Sequence, residues 1–155
     1  MASMWYTKGL RRLQGGATGA IDWAGAANIK VMLLSSSVAY TPNKDHEFVS
    51  DVNLSEADGS GYVGGFGGAG RKTLTGKTIT DDTATDRVNF GASNPSNWSA
   101  VGLTSGSITH VIVMAEVTSD AASPLIACLD PADLVTNGGD VGLTFPSGIV
   151  AYLQN

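Results

Sequence analysis

Strand-like apolar runs recur along this chain roughly every ten to fifteen residues, and no helical pattern of ten or more residues separates them. Parallel sheets need crossover helices between their strands, so this texture favours an antiparallel sandwich over an α/β sheet. The expected fold is all-β: an antiparallel β-sandwich of jelly-roll type, with a short N-terminal helix or arm and a Gly-rich loop. The first firm strand is 29–34, Ile29-Lys30-Val31-Met32-Leu33-Leu34, whose nearly continuous hydrophobicity predicts burial. Further strand signals fall at 72–80, 85–90, 108–117, 125–129 and 149–153, with Val141, Leu143 and Phe145 alternating before the last. Asn137-Gly138-Gly139-Asp140 marks a turn.

Two stretches differ. Residues 4–13 space Trp5, Tyr6, Leu10 and Leu13 in a roughly helical manner, ended by Gly15-Gly16. Residues 52–70 hold Gly59, Gly61, Gly64, Gly65, Gly67, Gly68 and Gly70, with Tyr62 and Phe66 set among them. Glycine this dense costs entropy to order, so the expectation is a long surface loop that is mobile alone and ordered, if at all, by a partner. Tyr62 and Phe66 are then either interface anchors or local packing, and Trp23 is core. A length of 155 residues fits one domain, 1–155, with 1–20 as its arm and 52–70 as its loop.

Charge narrows the partners. Only 15% of residues are charged and the net charge is −5, against about 25% charged in typical soluble domains. Nucleic acid is not an expected partner, because binding it needs clustered cations and only Lys8, Arg11 and Arg12 cluster. The low charge fits a surface that another chain covers. Cys128 is alone, in an apolar context, and is expected to be a buried small hydrophobe. No apolar run approaches the ~18 residues of a membrane span, and no signal-peptide pattern opens the chain. The expectation is a soluble protein made in a reducing cytoplasm, with no membrane partner.

The motifs that suggest chemistry do not hold up. Asp45-His46-Glu47 puts the imidazole between two carboxylates, as an acid–base site needs. In extended chain, however, neighbours point away from each other, so a structural or solvated role is expected. Gly59-Ser60-Gly61-Tyr62-Val63-Gly64 spells a nucleotide fingerprint but lacks the strand before it and the helix after it. Gly76-Lys77-Thr78 ends like a phosphate loop, yet the required earlier glycine is Arg71; a turn or bulge at Gly76 is expected instead. Asp81, Asp82 and Asp86, with Thr83 and Thr85, offer oxygens to calcium but lack the helix–loop–helix glycine and glutamate. Asn53-Leu54-Ser55 and Asn97-Trp98-Ser99 match a glycosylation pattern that carries no weight without a secretory signal. No catalytic, cofactor-binding or metal-binding residue is expected.

Several pieces follow one another in a familiar order. They are Ile21-Asp22-Trp23, then residues 29–34, then Tyr40-Thr41-Pro42-Asn43, His46-Glu47-Phe48 and Ser50-Asp51-Val52. Gly61-Tyr62, Leu74-Thr75-Gly76-Lys77-Thr78 and Val88-Asn89-Phe90 come next, before Ser123-Pro124-Leu125-Ile126-Ala127 and residues 137–140. In order and spacing, from 21 to 153, the chain resembles small tailed-bacteriophage virion proteins, the capsid decoration (cement) or head-associated structural proteins. It departs from them at 91–94, where aspartates are commoner, and at 4–12.

The resemblance implies a jelly-roll sandwich on the outer capsid surface of a bacteriophage, with the major capsid protein as partner. It implies a homo-oligomer, a trimer favoured, and no catalysis: the protein bridges capsid subunits and stabilises the head. The alternatives are a phage tail or head–tail connector component, or a carbohydrate-binding β-sandwich module stacking sugars on Trp98, Tyr62 or Trp5. An enzyme using His46 with Asp45 or Glu47 is the least favoured class.

Overall fold

In the computed structural model, residues 2–16 and 19–154 are described. They form β1 (Ala2–Trp5), helix α1 (Thr7–Leu13), β2 (Ile29–Ser35), β3 (Gly59–Ser60), β4 (Lys72–Thr73), β5 (Thr78–Asp82) and β6 (Arg87–Gly91). Then come β7 (Gly102–Leu103), β8 (Ser107–Ala115), β9 (Leu125–Asp130), β10 (Leu134–Val135) and β11 (Ile149–Gln154). The chain is mostly β, its sheets are antiparallel, and the single α-helix of the described residues is short. The main sheet runs β1-β9-β8-β2-β4, with β10 beside β8; a smaller one runs β11-β6-β5, and β3 pairs β7.

The main sheet explains the unbroken apolar run. Antiparallel strands normally alternate because one face meets water. Here both faces are covered. Ile29, Val31 and Leu33 of β2, with Val111 and Val113 of β8, share one core with Phe90 and Val150 of the smaller sheet. Met32 and Leu34, with Ile112 and Met114, face the other way, into a second core with Tyr6, Val49 and Val52. Tyr6, just before helix α1, and Tyr40, Val49 and Val52 of the 40–52 segment close that second face. Deleting such a buried side chain to alanine costs about 2–5 kcal/mol.

Helix α1 reaches the sheet because position 9 is glycine. A Cβ there would lie 2.0 Å from the Leu125 carbonyl oxygen and 2.9 Å from the Ile126 Cα. Tyr6 N–H donates to Ile126 O at 3.1 Å, so strand β1 passes directly into the docked helix. Residues 4–13 are thus the end of a strand, Met4 and Trp5, followed by the helix from Thr7 to Leu13. The indole of Trp5 donates to Tyr152 O at 2.9 Å and packs edge-on to Phe90, so this segment joins both sheets.

Two expected strands change form. The 72–80 signal divides into β4 and β5 around Gly76, which turns the chain at φ +58°. Val141, Leu143 and Phe145 are buried in alternation, yet only Val141 makes a bridge, to Trp98. Alternation there records packing against the core without a sheet partner.

Candidate functional site

The glycine-rich segment, expected to be mobile, is held in place from beneath. Leu34 bridges Glu56, and Ala57 N–H donates to Leu33 O at 2.9 Å, so the segment starts on the edge of β2. Gly70 N–H returns to Val63 O at 2.9 Å, and β3 pairs with β7. Arg71, just past the last glycine, has a fully buried side chain. Its Nε donates to Glu56 Oε1 at 2.9 Å and its Nη2 to Glu56 Oε2 at 2.6 Å, the two-pronged geometry that suits guanidinium and carboxylate. Its Nη1 donates to Asp120 Oδ1 at 2.6 Å, in the turn between β8 and β9. Asn53 Nδ2 donates to Asp120 Oδ2 at 3.0 Å. Glu116, at the end of β8, pairs with Lys30 of β2 and faces Arg71 Nη1 at 3.7 Å.

Burial works against the Arg71 charge, but the pairs with Glu56 and Asp120 outweigh it and hold the guanidinium pKa above its ordinary value. Burial likewise opposes the Asp120 charge; the hydrogen bonds from Arg71 and Asn53 outweigh it and lower that carboxyl. Both oxygens of Glu56 are taken: Oε1 also receives the Tyr62 hydroxyl at 3.3 Å, and Oε2 the Gly65 N–H at 3.0 Å. A carboxylate so engaged is a structural strut and has no free lone pair aimed at a substrate.

Tyr62 is therefore packing. It is fully buried, and its hydroxyl accepts the Leu33 N–H at 3.0 Å while donating to Glu56. Burial raises its pKa well above the ordinary phenol value. Phe66 is the opposite, 48% exposed. Above the clamp, Asn53, Glu56, Asp58, Gly64, Gly65 and Asp120 line a cleft of about 310 Å3. Leu54 adjoins Asn53, while Val63 and Phe66 flank the two glycines. All three are large apolar residues facing solvent, with Leu54 at 83% and Val63 at 59% exposure.

The Asp45-His46-Glu47 trio is taken apart by its contacts. Glu47 accepts Lys8 Nζ at 2.6 Å and Arg12 Nη2 at 2.9 Å, and these cations hold its pKa below the usual carboxylate range. It fastens helix α1 to the 40–52 segment. Asp45 is exposed and its N–H is taken by Asn43 Oδ1 at 3.0 Å. His46 is half-buried against Tyr40, with ring centroids 6.0 Å apart, and its Nδ1 has no hydrogen-bond partner among the described residues. Asp51 Oδ2 instead accepts the N–H groups of Glu47 and Phe48.

The remaining candidates are structural in the same sense. Residues 59–64 form a small hairpin with Gly59 bridged to Tyr62, and no helix follows. Lys77 hydrogen-bonds the carbonyls of Gly25 and Ala27. Asp81, Asp82 and Asp86 lie on the β5–β6 hairpin, where Asp82 accepts the Thr85 hydroxyl at 2.5 Å. Trp23 and Trp98 are buried and Trp5 is half-buried, each with its indole N–H donated to a backbone carbonyl. Of the three rings that a sugar platform would use, Trp98 and Tyr62 are fully buried and Trp5 is half-buried, edge-on to Phe90. Cys128 is buried beside Tyr6, and burial pushes its thiol pKa up to about 12. Tyr6 and Tyr40 share a 2.6 Å hydroxyl contact in the same core.

Arg71, Glu56 and Asp120 were not singled out from the sequence for this role. They stand 15 and 49 positions from Arg71, and no local pattern joins them. The one signal is an arginine directly after a glycine run. No protein-family model, curated protein or solved structure matches this chain.

Proposed function

We propose that this chain is a virion structural protein of a tailed bacteriophage, one that binds the outer capsid surface and bridges neighbouring major capsid subunits. The observation that carries the reading is the exposure of Leu54, Val63 and Phe66, each next in sequence to a residue lining the cleft over the Arg71 clamp. Large apolar side chains gathered on exposed loops mark surface that another chain covers. Because the backbone beneath them is already bonded in place, docking forfeits little further ordering entropy. That replaces the expectation of a loop ordered only on the partner.

The mechanism is mechanical. Apolar surface buried between subunits adds to the contacts that resist pressure from packaged DNA, and repetition over the lattice multiplies a modest single contact. The low charge, 15% of residues, suits a surface largely covered after assembly. Jelly-roll connectivity, a homo-oligomer with a trimer favoured, and residence on the capsid after synthesis in the bacterial cytoplasm belong to this proposal.

Counting copies per purified particle by quantitative mass spectrometry tests it. A cement predicts on the order of hundreds, whereas about a dozen indicates the tail or connector alternative. Absence from the particle removes both.

A further inference from the structure

We propose that a second site, a socket between β8 and the 131–143 segment, takes an apolar side chain of a protein partner that carries a lysine or arginine beside it. The socket holds about 360 Å3, at the small end of the roughly 300–1,000 Å3 typical of binding clefts. Leu33, Ile108 and Val111 form its floor from the main sheet, with Trp98, Val141 and Leu143 around them. All six are buried. The Trp98 indole N–H is already donated to Gly70 O, so the floor offers a guest no hydrogen bond. A polar guest would lose its hydration without replacement, and an apolar one is selected.

The charge at the mouth selects further. Asp133 is the one ionisable residue of the lining; it is exposed and makes no ion pair among the described residues. From Val88 to the C-terminus the chain has no lysine or arginine; of its five acidic side chains, Glu116 and Asp120 are paired with Lys30 and Arg71, which leaves Asp130, Asp133 and Asp140. Every lining residue except Leu33 comes from that stretch. A cation beside the apolar group gains from this field, and an anion is repelled. Beside the socket, β10 pairs with β8 on one side only among the described residues, leaving Leu134 and Val135 43% and 76% exposed. An extended partner segment can pair along that edge while one side chain enters the socket.

The identity of the partner, a capsid subunit, rests on the shell-binding reading; the socket's chemical preference does not. The test is an NMR titration of the full chain with acetyl-Phe-Arg-amide, acetyl-Phe-Glu-amide and acetyl-Gly-Arg-amide. The expected result is a saturable shift of the Trp98 indole N–H and the Gly142 amide with the first peptide, the other two binding at least about tenfold more weakly. Asp133→Asn should weaken the first peptide several-fold, and Ala132→Phe, which plugs the mouth, should abolish it. If Ala132→Phe does not fold, Asp133→Asn still decides. No saturable shift at these two nuclei, equal binding of the glutamate peptide, or indifference to Asp133→Asn overturns the proposal. Sedimentation with capsids separates the two readings: shell binding unchanged by a plugged socket removes the capsid as the socket's partner, while the decoration reading stands.

Discussion

The ring of Tyr62 occupies the space that a side chain at Gly70 would need. A Cβ on Gly70 would lie 2.6 Å from Cε1 of the ring and 2.7 Å from Cδ1. With Gly70 bare, the ring slides in, its hydroxyl reaches Leu33 and Glu56, and the Gly70 carbonyl receives the Trp98 indole. The glycine-rich segment is closed down by this contact as much as by the ion pairs beneath it.

Gly70→Ala should therefore destabilise the chain by about 1–3 kcal/mol, the range for overpacking a filled site. Urea unfolding measures it. In a Tyr62→Leu background the same change should cost clearly less, because the two residues share one space.

Arg71→Met should cost about 3–5 kcal/mol, since it leaves Glu56 and Asp120 facing each other without their cation. Arg71→Lys keeps the charge but cannot make the two-pronged contact with Glu56, so it should fall between the parent and Arg71→Met. Denaturant midpoints of the three proteins give the order.

The pH dependence has a definite sign. Asp120 has a folded-state pKa below its unfolded value of about 3.9. Its contribution to stability is complete above that unfolded value and is lost as pH falls through the lower folded one. Glu47 and Asp51 are depressed in the same direction. Stability measured from pH 7 to pH 2.5 should be level near neutrality and drop below about pH 4. Asp120→Asn should start lower and drop less steeply.

Much of the sheet was legible because its strands are long, apolar and locally patterned. Residues 29–34, 108–117 and 125–129 correspond to β2, β8 and β9 within a residue or two at most ends. The clamp was not legible, because its members meet only once β2, β8 and the glycine-rich segment have come together. Glycine count alone suggested mobility for 52–70; what opposes it is one buried guanidinium and one buried phenol, neither of which has a periodic signature. Tyr62 and Phe66 looked alike in sequence, four residues apart, and the fold sends one inward and the other out. Asp45-His46-Glu47 was expected to be structural or solvated; the use of Glu47 to fasten helix α1 was not legible, because it depends on Lys8 and Arg12 arriving from 39 and 35 residues away.

The exposed rim should matter for docking and little for folding. Leu54→Ser and Phe66→Ser sit at solvent-facing positions, so each should change stability by no more than about 0.5 kcal/mol. Thermal melts alongside the parent check this, and a larger loss would mean that the rim is part of the core.

Co-sedimentation with expanded capsids that lack this protein is the most direct measurement. The account predicts that the parent pellets with the shells and saturates. It also predicts that Leu54→Ser/Phe66→Ser, folded to the same stability, pellets far less. A parent chain that stays in the supernatant at every concentration, or a double variant that binds as the parent does, would contradict it.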